Sequence, residues 1–168
     1  MAYPGKSKAQ ATHASITFEI KNLGITTSGS IGGLQTNVHF DPSNLNASIL
    51  EASVDVNTIN TGNGSRDEHL RSDDFFDLAH FPKISLKSVS FKHKSGDNYI
   101  GRFVLTIKNR SKQVDIPFTL PNKDNTISFR ATFKLNRLDF GVGSKSMILS
   151  DEVLVNIDCQ EKKPETRL

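Results

Sequence analysis

Apolar and polar residues alternate along most of this chain with a period of two. Ile16, Phe18 and Ile20 alternate with Thr17, Glu19 and Lys21. Val54 and Val56 flank Asp55. Phe103, Leu105 and Ile107 share a face, as do Val114, Ile116, Phe118 and Leu120. The longest series is Ile127, Phe129, Ala131, Phe133 and Leu135. Val153, Val155, Ile157 and Cys159 form a last one. Such alternation predicts strands with one face buried. Between Ile84 and Phe91 the phase slips: Ile84 and Leu86 fall on one face, Val89 and Phe91 on the other, which predicts a β-bulge near Ser88. Turn-forming stretches separate the runs at Ser95–Asn98, Lys108–Ser111, Asn122–Asn125 and Gly141–Ser146. Short connections imply antiparallel neighbours, and the lack of crossover helices implies an all-β, up-and-down barrel or sandwich.

One segment departs from the pattern. Between Asn60 and Pro82 no strand is predicted. Ser65 and Glu68 have capping-box spacing, so a short helix is expected over about residues 66–72, with Ser72 capping a further turn through Asp77. Pro82 then starts the next strand. A connection this long is a candidate lid, covering about residues 65–80. The chain divides into a flexible N-terminal tail (1–11), one barrel domain (12–160) and a flexible C-terminal tail (161–168).

Composition narrows the picture. A chain of 168 residues fits one domain that buries about 70% of its unfolded surface. It therefore needs neither disulfides nor a structural metal. A net charge of +3 and a pI near 9.0 permit transient contact with an anionic membrane surface but are no nucleic-acid footprint. No apolar run reaches eighteen residues. The polar start lacks the apolar core of a secretory signal, so the protein is either cytoplasmic, or periplasmic or secreted after loss of a signal. Phe supplies 11 residues, Tyr 2 and Trp none, which suits a packed core and a greasy cavity equally.

Candidate chemistry is sparse. His69 and Asp73 have i, i+4 spacing, but no second histidine completes a ligand pattern, and solvated helix charges explain them better. No Gly-x-Ser-x-Gly elbow accompanies the serines and histidines. Cys159 reads as a small buried hydrophobe, and Gly141-Val142-Gly143 as a tight bend. Arg66, Arg71 and Arg137 offer planar donors for a phosphate or quinone headgroup; the competing role is pairing with carboxylates, Asp139 or Asp151 for Arg137.

Several stretches together resemble the YceI family. They are Thr12–Gly24, Arg66–Asp77 running on into Phe81-Pro82-Lys83-Ile84, Arg137–Gly143, and Leu149–Val153. Asn22 departs from the histidine expected there. The resemblance covers about residues 12–159 and implies a lipocalin-like, extended antiparallel barrel around an elongated apolar cavity. It further implies a bound polyisoprenoid, isoprenoid quinone or fatty-chain amphiphile and no shared catalysis; no cofactor is required, and the residues above give no reason to expect a metal. Alternation alone favours a filled barrel, because small barrels are commonly filled; the resemblance reverses that preference. The expected cavity wall is Phe18, Ile20, Phe75, Phe76, Phe103, Leu105, Ile116, Phe118, Phe129 and Phe133. Arg66, His69 and Arg137 are the expected headgroup residues at the mouth. Two other readings remain open: a hydrolase or isomerase of a lipidic substrate using His69 with a lid carboxylate, and a filled barrel acting through its surface. A homodimer is compatible with each.

Overall fold

The computed structural model describes residues 11–123 and 126–162. Its strands are β1 (Ala11–Asn22), β2 (Ile25–His39), β3 (Ile49–Asn60), β4 (Lys83–Ser95), β5 (Asn98–Ile107), β6 (Arg110–Thr119), β7 (Asn122–Lys123), β8 (Thr126–Asn136) and β9 (Glu152–Lys162). They pair antiparallel in the order β6-β5-β4-β3-β2-β1-β9-β8, with the two-residue β7 beside β8. Phe118 opposite Ala131 and Thr119 opposite Arg130 join β6 to β8 and close the sheet on itself. The expected antiparallel barrel is the fold.

Local chemistry sets the hairpins and bends. Lys108 and Asn109 both take left-handed backbone angles, the geometry of a two-residue turn whose twist matches the strands it joins. On β4 the predicted bulge is present. Ser88 pairs with Phe103 and Ser90 with Arg102, which leaves Val89 as the extra residue, exposed on the outside. That insertion returns Phe91 to the interior.

The strand β2 lay outside the sequence expectation. It is rich in Ser, Thr and Gly, and its alternation breaks between Ile31 and Leu34. The break has a cause: Gly33 takes a φ of 69°, and the β2–β3 register shifts on both sides of Gly32.

The lid helix α1 spans Gly64–Arg71. Its cap is Asn63, not Ser65: Asn63 has extended backbone angles, and its side chain accepts the Arg66 N–H at 3.1 Å. Ser65 lies inside the first turn, so the expected capping box does not form. Past α1 the chain continues in turns, with Phe76 N–H bonded to the Leu70 carbonyl and Asp77 N–H to that of Ser72. The barrel strands run beyond the expected domain limits, with Ala11 opposite Glu161. The rest of the expected tails, 1–10 and 163–168, lies outside the described residues.

Two apolar clusters occupy the interior. Phe40, Phe91, Tyr99, Phe103, Phe118 and Phe129 pack at one end, where Phe118 stacks on Tyr99 and Phe129 with ring centroids 5.6 and 4.9 Å away. Such aromatic pairs add about 0.5–1.5 kcal/mol each beyond the area they bury. At the lid end Leu105, Ile107, Phe140 and Val142 pack with Phe75 and Phe76.

Candidate functional site: an apolar cavity under a lid

The two clusters leave space between them. Inward side chains on β3, β5 and β6 are largely buried, including Val56, Phe103, Leu105 and Ile116. Those on β1, β2, β8 and β9 are inward too, yet Ile16, Phe18, Ile20, Ile31, Leu34, Phe133, Val155 and Ile157 are only half-buried. They border a cavity of about 1040 Å³. The interior is thus packed at its two ends and hollow between them, with the less buried wall on β1, β2, β8 and β9. The volume lies at the top of the range of about 300–1,000 Å³ usual for small-molecule pockets.

The expected wall residues Phe18, Ile20, Phe75, Phe76, Phe103, Leu105, Phe129 and Phe133 all border this space. Ile116 and Phe118 do not. They are fully packed within the aromatic cluster, because Phe118 lies between the rings of Tyr99 and Phe129 and helps stop the end of the cavity. Gly101 makes that packing feasible: a Cβ there would overlap the Phe103 ring. Ile31, Leu34, Val38, Val155, Ile157 and Leu149 also line the cavity. The first three belong to the strand that the sequence pattern hid.

At the lid end the cavity reaches solvent past His69, Asp74 and Ile148, all exposed. Arg66 borders it but is anchored: its Nε donates to the Thr61 hydroxyl and its Nη2 to the Thr61 carbonyl, each at 2.8 Å. The buried Asp67 accepts from the same Thr61, from its N–H at 2.9 Å and its hydroxyl at 2.5 Å. The Thr61 hydroxyl bond holds Asp67 below the usual carboxylate range. The pairing considered between His69 and Asp73 does not form. His69 Nε2 instead lies 3.2 Å from Asp74, and its ring meets Phe75 edge-on at 5.0 Å. Among the described residues no three His, Cys, Asp or Glu side chains come together as a metal site.

Arg137 borders the cavity as well, yet it is only 3% exposed and its donors are committed. Nε donates to the Ser150 carbonyl, Nη1 to those of Val142 and Ser144, and Nη2 to that of Leu149, over 2.8–3.3 Å. Its carboxylate neighbour is Asp151 at 3.7 Å, whereas Asp139 pairs with Lys112. The guanidinium therefore fixes the loop that frames the mouth. Asn22, also on the cavity wall, has a buried side-chain oxygen without a partner among the described residues.

The opposite end holds polar groups that the sequence reading placed elsewhere. Glu161, assigned to a flexible tail, is the penultimate residue of β9, is 5% exposed and borders the cavity. The Thr36 hydroxyl donates to its Oε1. Desolvation raises the Glu161 carboxyl above its ordinary pKa and pushes the neighbouring Cys159 thiol up to about 11. Cys159 is buried, as the alternation predicts.

A closed antiparallel barrel with a lidded, mainly apolar interior space defines a lipocalin-like barrel. The particular family follows from the comparisons: residues 8–160 match the YceI-like domain, and the chain belongs to that family. A UPF0312 protein of Yersinia pestis (strain Pestoides F) is 31% identical over 134 residues, spanning 78% of this chain and 69% of that protein. Among solved structures, Burkholderia cenocepacia BcnA superposes with a TM-score of 0.83 at 22% identity, covering 88% of this chain and 95% of that one. A polyisoprenoid-binding domain from Saccharophagus degradans, implicated in plant cell wall breakdown, superposes with a TM-score of 0.76 at 14% identity, covering 94% and 98%. At these identities the structural likenesses establish the fold.

Proposed function

We propose that this protein is a carrier that holds one long-chain lipid, a polyisoprenoid, isoprenoid quinone or fatty-chain amphiphile, inside its barrel and performs no chemistry on it. The observation that carries this reading is the hollow interior, where apolar side chains, the least buried of them on β1, β2, β8 and β9, face a 1040 Å³ space in place of one another. Each chain methylene placed there is worth about 0.8 kcal/mol, partly offset by ordering the chain. The polyisoprenoid-binding neighbour lends support.

The lid end is the entry. Exposed Leu23, Ile25, Met147 and Ile148 flank it, and Ile148 is shared between this surface and the cavity wall. The Leu23 N–H bonds the Ile148 carbonyl at 2.8 Å, so the two loops form one apolar rim. Such a rim suits brief contact with a membrane surface while the ligand passes.

Mass spectrometry of an organic extract of the purified, unheated protein tests the reading. One isoprenoid, quinone or fatty-chain compound per chain is the expected result. No such compound, even after incubation with these lipids, would overturn it.

A further inference from the structure

Away from the lid the cavity wall changes character. Leu50, Leu120, Val38, Ile127 and Cys159 surround that end, and within this apolar setting sits the carboxyl of Glu161. Among the described residues no ion pair reaches it. A carboxyl removed from water is costly unless hydrogen-bonded. Thr36, on β2 with only β1 between it and β9, satisfies Oε1. Oε2 keeps its capacity for a further bond, and the Thr36 hydroxyl oxygen can still accept one. Burial favours the neutral acid, which is both a donor and an acceptor.

We propose that Glu161 and Thr36 form an inner polar subsite that receives the neutral hydrogen-bonding end group of a long-chain ligand, an alcohol, a primary amide or a quinone carbonyl. The apolar chain then runs back along β1, β2, β8 and β9 to the lid. A phosphate or carboxylate is refused at this position, since its charge would lose its hydration in a low-dielectric part of the pocket where the described residues supply no cation. Anionic lipids enter tail-first and neutral ones end-group-first. This inference rests on the carrier reading and adds an orientation and a ligand preference to it.

The test is displacement of a fluorescent fatty-chain probe from the full chain by three competitors. They are a twenty-carbon isoprenoid alcohol, its monophosphate, and the same chain with the hydroxyl replaced by hydrogen. The native protein should bind the alcohol at least about tenfold more tightly than the hydrocarbon, a difference of about 1.4 kcal/mol. Glu161→Gln, which keeps a donor and an acceptor, should preserve that ratio. Glu161→Leu should bring it near one while still binding the hydrocarbon. Thr36→Val, a milder change, should reduce the ratio and guards against a Leu variant that does not fold. An unchanged ratio in Glu161→Leu and Thr36→Val would overturn the subsite and leave the carrier reading standing. Failure of the native protein to bind any chain would overturn both.

Discussion

Phe75 of the lid packs against Gly143 of the loop opposite, so closely that a Cβ on Gly143 would lie 2.8 Å from the Phe75 ring. Gly143 also has a φ of 70°, and its N–H donates to the Asp74 carbonyl at 3.1 Å. One glycine thus ties the lid to the far rim. Gly143→Ala should cost about 1–2 kcal/mol from the left-handed backbone alone, and the added methyl should also push Phe75 away. Urea denaturation should show the loss of stability, and bound lipid should dissociate faster than from the native protein.

Arg137 and Arg66 separate two meanings of an arginine at a cavity mouth. Arg137→Met strips partners from four backbone carbonyls. Unsatisfied buried polar groups cost about 1–3 kcal/mol each, so the variant should lose about 3 kcal/mol or more in a denaturation midpoint experiment. Arg66→Met should cost less, because its bonds lie within one helix–strand corner. A binding defect in Arg137→Met with native stability would contradict the scaffold role.

Glu161 makes stability depend on pH with a definite sign. Its folded pKa is raised, so between its ordinary value and the folded value the native state holds a proton that the unfolded chain has released. Stability contributed by this group therefore falls as pH rises through that window. Glu161→Gln removes the dependence. Against the native protein it should gain stability at pH 8 relative to pH 4, as read from paired urea midpoints.

Cys159 should resist alkylation in the folded protein. With its thiol near 11, its thiolate fraction at pH 8 is about two orders of magnitude below that of a free cysteine. Since Cys159 also borders the cavity, adding lipid should slow the reaction with a thiol reagent further.

Leu23 and Met147 lie on the rim without bordering the cavity, so they separate docking from binding. Leu23→Asp combined with Met147→Asp should slow lipid transfer from vesicles by about tenfold, as apolar contact worth roughly 1–3 kcal/mol is forfeited. Equilibrium affinity for a soluble fatty-chain probe should stay unchanged.

Periodicity made the barrel legible because each half-buried strand writes its two faces into the sequence. Even the bulge at Val89 showed as a slip in phase. The same reading failed on β2, where Thr27 and Thr36 hold inward positions at the cavity, Gly29 sits against Phe18 and a left-handed Gly33 interrupts the count. A wall that faces a void needs fewer large apolar side chains than one that faces a packed core, so a hollow barrel weakens its own signal. Glu161 was hidden for a related reason. A charged residue near the chain end reads as solvated tail, but β9 continues through Glu161, paired with Ala11 and Ile127, and carries its side chain inside. Phe118 was assigned to the correct face, but alternation gives depth across a sheet and not height along a barrel, so its place in the aromatic stopper was invisible. Asn63 capped the helix in place of Ser65 because either residue serves, and the backbone decides between them.

Two register pairs close the barrel between β6 and β8, whereas eleven join β8 to β9. Elsewhere along this junction the joint is made by side chains: Phe140, Val114 and Leu135 pack together, and Lys112 meets Asp139 at 3.3 Å. With each backbone hydrogen bond worth about 1 kcal/mol net, the wall behaves as a sleeve with a lap joint. Its girth at this seam is set by side-chain contacts, and parting the seam leaves every other strand pairing intact.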